Sequence, residues 1–223
     1  MITGITRALD KAETEWGLTS KLILCFLRHL SEEAAFETLE QAEPYLDRIE
    51  AVGLDSSEMG HPPSKFERVF AAAAELGLKR VAHAGEEGPP AYVYEALDLL
   101  KIDRLDHGNR ALEDTALVKR LAGEGMTFTV CPLSNLKLCG VTDLREHPLK
   151  RMLELGLKAT VNSDDPAYFG GYVNENFKQT AAAVGLTEGE IITLAKNSFT
   201  GSFLPQAEVE RRVAEIDALA ETA

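Results

Sequence analysis

The chain holds 223 residues, 45% of them apolar and 26% charged, which is enough for one sizeable core. A formal net charge of −13 repels phosphate backbones and anionic bilayers, so neither nucleic acid nor a membrane surface is an expected partner. Three scattered cysteines with no C-x-x-C spacing argue against a zinc ribbon or a disulfide framework and for a reducing, cytoplasmic compartment.

The chain opens on an amphipathic helix pattern, residues 1–17, that lacks the apolar centre of a signal peptide. A strand-like run, KLILCFL at 21–27, comes next. Ser31 with Glu32 and Glu33 then starts a helical pattern in the manner of a helix cap. Further apolar runs lie at 48–55, 78–84, 102–108, 126–132 and 157–163, and each is separated from the next by residues at helical spacing. Gly77, Gly125 and Gly156 close three of those helices. After the sixth run the pattern is helical to the end. No run approaches the length of a membrane span. No linker or composition break divides the chain, so residues 1–223 read as a single domain.

Strand–helix alternation at this density predicts a parallel sheet buried on both faces. A doubly wound open sheet and a (β/α)8 barrel both satisfy it. No Gly-rich phosphate loop is present, and six strands fall short of eight. The polar residues decide. Asp55, Ser56, Ser57 and Glu58 follow the second run, and His83 and Glu86 follow the third. Asp106 and His107 end the fourth, Ser134 and Asn135 follow the fifth, and Asp164 and Asp165 follow the sixth. A barrel gathers every strand end around one axis, whereas an open sheet concentrates function at one switch point. The expected fold is therefore α/β, a TIM-barrel type with about six of its eight strands.

His, His and Asp from separate strands are ligand types that a catalytic zinc accepts. A nearby Glu is suited to shuttling a proton. Two adjacent carboxylates at one strand end should have distinct jobs.

VAHAGEE, IDRLDHGNR, VCPLSN and TVNSDDPAYF resemble, in order, four motifs of the adenosine/adenine deaminase family, metal-dependent barrel enzymes of the amidohydrolase kind. The segments SSEMGHPPSKF and NSDDPAYFGGYVNENF look more like the adenine deaminase branch. The likeness runs from Gly4 to about Pro205. It implies a zinc-dependent conversion of adenine to hypoxanthine and ammonia in purine salvage. By the same likeness, His83 and Asp164 are zinc ligands and Glu86 is the proton donor to the purine ring. His107 orients the attacking water and takes its proton. Asp165 bonds the imidazole-ring nitrogen of the substrate, and Glu58 reads the far edge of the base. Adenosine or an N6-substituted adenine is the nearest alternative substrate. A non-catalytic purine-binding module is an alternative of another class.

Family members also carry a His-x-His pair on a first strand. None of the five histidines here is spaced that way, so the chain is expected to be an N-terminally truncated form whose metal binding and activity are impaired. A barrel short of two strands would expose edges open to self-association. The remaining features read as structural. His29 lies at a strand end, His61 in a loop, and His147 before a helix. Cys25, Cys131 and Trp16 read as core.

Overall fold

The computed structural model describes residues 1–221. The chain forms two compact units, one of Met1–Ala82 with Glu95–Ile102 and one of His83–Tyr94 with Asp103 onward. The elements run α1 (Ile2–Trp16), β1 (Leu22–Leu27), α2 (Glu32–Ala42), β2 (Ile49–Asp55), α3 (Glu67–Glu75), β3 (Lys79–Ala84), α4 (Pro90–Asp98) and β4 (Arg104–His107). They continue with α5 (Thr115–Glu124), β5 (Thr127–Val130), α6 (Pro132–Lys137), α7 (Leu149–Glu154), β6 (Lys158–Val161) and α8 (Pro166–Phe169). The last three are α9 (Val173–Val184), α10 (Glu188–Thr200) and α11 (Gln206–Ala220). Each of the six apolar runs contains one strand. The fold is α/β, of the TIM-barrel type, with six parallel strands among the described residues.

In the first unit, β1 pairs with β2 and β2 with β3, both in parallel. Residues 51–54 of β2 are all buried, as a strand covered on both faces requires. Phe26 of β1 meets Phe70 of α3 edge-on, with ring centroids 5.9 Å apart. Ser31 caps α2 by accepting from the Ala34 amide at 3.3 Å. The next residue, Glu32, is buried and takes the Arg68 and Val69 amides at 2.8 and 3.1 Å. One carboxylate on α2 thus satisfies the open N-terminus of α3. Two sequence expectations fail in this unit. Cys25 is exposed rather than core, because β1 buries only Phe26. Trp16 is 67% exposed, at the end of a helix with no buried residue.

In the second unit, β4 pairs with β5 and β5 with β6, again in parallel. Leu105, Phe128, Leu117, Leu121, Leu149 and Met152 are buried in its core. Asp114 caps α5 with bonds from the Ala116 and Leu117 amides at 2.8 and 3.0 Å. Gly125 ends that helix at φ 65°, a conformation glycine adopts without steric cost. Thr187 and Glu190 form a reciprocal capping box on α10. Two short helices, α6 and α8, escaped the periodicity reading. Each opens on a proline within five residues of a strand end, and neither is long enough to show a repeat. Among the described residues no helix is long and apolar enough to cross a membrane.

His147 is 4% exposed and lies two residues before α7. Its Nδ1 accepts from the Leu149 amide at 3.2 Å. Burial lowers its pKa to about 4, against an ordinary 6.5.

Two outcomes follow from this packing. Phe70→Ala should cost about 3–5 kcal/mol, read as a loss of urea midpoint at pH 7 without loss of cooperativity. The second concerns pH. An unfolded His147 takes up its proton near 6.5, while the folded one stays neutral to about 4. The unfolded state therefore binds more protons between those values, and stability falls as pH drops through that window. The contribution is on the order of 3 kcal/mol. Urea titrations of wild type and His147→Gln at pH 7 and pH 4.5 should show the wild type losing more; equal losses would contradict the assignment.

Candidate active site

The second unit delivers polar groups from successive strand ends. β3 brings in His83, and Gly85 then turns the chain at φ 74° toward Glu86. A Cβ at Gly85 would lie 2.8 Å from Val93 Cγ2, so space as well as backbone angle requires glycine there. β4 ends on His107 at φ 61°, and β6 leads to Asp164 at φ 55°. Left-handed backbone costs a non-glycine residue about 1–2 kcal/mol, and it recurs where function over-determines geometry. Among the described residues five non-glycines adopt it, and His107 and Asp164 are two of them. Asn162 anchors the approach to Asp164. Its amide donates to the Val130 carbonyl at 2.9 Å, and its side chain donates to Thr160 Oγ1 at 2.8 Å.

These groups converge. The His83 and His107 rings lie 4.6 Å apart at 55°. His107 Nδ1 is 3.2 Å from Glu86 Oε1. His83, Glu86 and His107 each offer a ligand-type atom within 4.8 Å of the others, and so do His107, Cys131 and Asp164. His107 belongs to both groups. Asp165 follows Asp164 at the surface, and its carbonyl accepts the Tyr168 and Phe169 amides at 2.9 and 2.8 Å to start α8. Glu58 lies in the first unit, after β2, and is 2% exposed.

Burial, and next the nearby charge of His83, hold the His107 pKa well below its usual range. The ring stays neutral and keeps a lone pair. Asp106 sits 3.8 Å from His83 Nδ1, with Arg104 Nε 3.7 Å from its other oxygen and the Thr129 hydroxyl donating to it. A carboxylate behind one imidazole nitrogen is the usual device for presenting the other to a metal. Neutral imidazole and carboxylate, at this spacing, fit a zinc ion in kind. Burial pushes the Cys131 thiol well up, helped by the charges of Asp164, Asp106 and Glu86.

Three contributors go beyond what the sequence assigns, which leaves Asn135 open between solvent, substrate and its own turn. Asp106 is in the sequence only a strand-end residue. Asn135 donates from Nδ2 to Glu86 Oε1 at 3.1 Å and lies 3.5 Å from His107 Nδ1. His147 Nε2 is 3.2 Å from Asn135 Oδ1, which also accepts from Asn109 Nδ2 at 2.8 Å. The signal available for Asn135 was its place just after a strand end, which it shares with Ser134. Ser134 is fully buried, and its hydroxyl has no hydrogen-bond partner among the described residues. Nothing in the spacing singled out His147.

Comparison with known proteins fits this geometry. The adenosine deaminase family model matches residues 1–219. The adenine deaminase of Caulobacter vibrioides is 69% identical over 220 residues, covering 99% of this chain and 64% of that protein. The chain thus spans just under two thirds of the length of that relative. The crystal structure of an adenine deaminase from Arthrobacter aurescens superposes with a TM-score of 0.95 at 48% identity, over 98% of this chain and 67% of that one. An amidohydrolase from Burkholderia ambifaria with bound Zn gives a TM-score of 0.91 at 27% identity, over 99% of this chain and 63% of that one. With nearly every residue matched and the strand-end groups drawn together, the chain belongs to the adenosine deaminase family.

Proposed function

We propose that this chain carries the acid–base machinery of a zinc-dependent adenine deaminase, acting within one deaminase domain over residues 1–223. The observation that carries the reading is the Glu86–His107 pair, a carboxyl and a neutral imidazole 3.2 Å apart at the ends of two strands. The names of the relatives at high identity support adenine as the substrate.

In this reading His83 and Asp164 are zinc ligands. Zinc, when bound, acts as a Lewis acid that brings the pKa of water toward neutrality. His107 takes the proton of the attacking water, which its neutral ring is able to accept. Water adds to the amino-bearing carbon of the purine. Glu86, in its protonated form, gives its proton to the adjacent ring nitrogen, so negative charge does not build there. The amino group takes the proton held by His107 and leaves as ammonia, the added hydroxyl gives up its proton to return Glu86 to its acid form, and adenine plus water becomes hypoxanthine and ammonia. Asp165 holds the imidazole-ring nitrogen, and Glu58 reads the opposite edge of the base. The odd, scattered cysteines support a cytoplasmic setting, and an adenine substrate would set the reaction in purine salvage.

The polypeptide of residues 1–223, tested by itself, should bind zinc weakly, because the family's His-x-His pair has no counterpart among its five histidines. Stoichiometric tight zinc in the purified chain would contradict this. Joined behind the N-terminal segment of the Caulobacter relative, the same residues should deaminate adenine and spare adenosine, followed by ultraviolet absorbance. Glu86→Gln in that fusion should lower kcat by about 10²–10⁴-fold. A folded, zinc-loaded fusion inert toward adenine would refute the reading.

A further inference from the structure

We propose that His147 and Asn135 form a positioning relay that fixes the orientation of Glu86, the acid assigned under the proposed function. The relay starts at the backbone. The Leu149 amide donates to His147 Nδ1 at 3.2 Å, so that nitrogen carries the lone pair. A neutral imidazole then bears its proton on Nε2. His147 is buried and its pKa is lowered to about 4, so it is neutral at physiological pH. Its Nε2–H donates to Asn135 Oδ1 at 3.2 Å, and Asn109 Nδ2 donates to the same oxygen at 2.8 Å.

Two donors on one oxygen decide which way the Asn135 amide faces. Asn135 is fully buried, so water is not available to restore a bond lost on flipping. Its Nδ2 is thereby turned to Glu86 Oε1 at 3.1 Å, the oxygen that also lies 3.2 Å from His107 Nδ1. An oxygen already accepting from an amide N–H is a poor place for a proton. The relay therefore biases the acidic proton of Glu86 toward Oε2, and a single carboxyl oxygen serves as the donor. Reversing the amide would present a carbonyl to Glu86, which would draw that proton onto Oε1. His147 acts only through Asn135 and is a positioning residue.

The test is spectroscopic and uses the 223-residue chain with no substrate, so its outcome is independent of whether adenine is deaminated. Long-range proton–nitrogen correlations at pH 7 should show His147 as the Nε2–H tautomer. The Nδ1–H tautomer in wild type would overturn the proposal without any variant. His147→Phe should shift the Asn135 side-chain amide resonances and speed their exchange with water by roughly tenfold, the loss of one net hydrogen bond. His147→Gln, which places an amide nitrogen near the position of Nε2, should restore both. Glu86→Gln should move the Asn135 amide protons as well, since it replaces the carboxyl oxygen that accepts from them. Asn135 resonances unmoved in His147→Phe or in Glu86→Gln, with the backbone spectrum otherwise preserved, would overturn the relay.

Discussion

The site depends on one arrangement, a carboxyl held against a neutral imidazole where water is scarce. Glu86 and His107 are 3.2 Å apart, and His107 is almost fully buried. Were His107 to protonate, the imidazole would lose the lone pair on which its proposed use as a base rests. Burial prevents this, and the electrostatic influence of nearby His83 adds to the effect. A position that deep demands that every hydrogen bond be supplied by the protein. The polar residues behind the pair, Asn135, Asn109 and His147, supply them.

The backbone meets the same demand in another way. His107 ends β4 and Asp164 lies three residues past β6, both in left-handed conformation. Continuing as extended strands would have carried these side chains outward along alternating faces. The turn at each residue releases it from that alternation, at a steric cost the surrounding packing must offset. Gly108, directly after His107, leaves no room for a Cβ, which would fall 2.6 Å from Phe128 Cδ1. The strained histidine is therefore locked from its C-terminal side by the aromatic core of the next strand.

Much of this was legible in the sequence. Parallel strands buried on both faces write themselves as continuous apolar runs, and all six were found that way. Single-letter polar groups at strand ends located His83, Glu86, His107 and Asp164. The exposure of Cys25 was not legible, because apolarity of a run does not report how many neighbours the strand has. The short helices α6 and α8 were missed, because a single turn has no period to detect. Asn135 and His147 lie 12 residues apart in sequence and meet only through a hydrogen bond formed in the fold. No local pattern encodes such a pairing, so His147 read as a residue before a helix, which is its position but not its whole environment.

Cys131 shows how the same burial disciplines a potential competitor. Its sulfur is grouped with His107 and Asp164, close enough to act as a ligand if it were a thiolate. Three carboxylates, Asp164, Asp106 and Glu86, add to the effect of burial and push the thiol pKa well up, outweighing the bond from the Asp164 backbone. The protonated sulfur lies 3.7 Å from the Thr129 carbonyl and behaves as a small apolar wall. A serine here would leave a buried hydroxyl requiring a firm partner, and a larger side chain would crowd His107. The acidic groups proposed to serve catalysis thus also keep the thiol beside them neutral, and burial is the larger cause at both His107 and its sulfur neighbour.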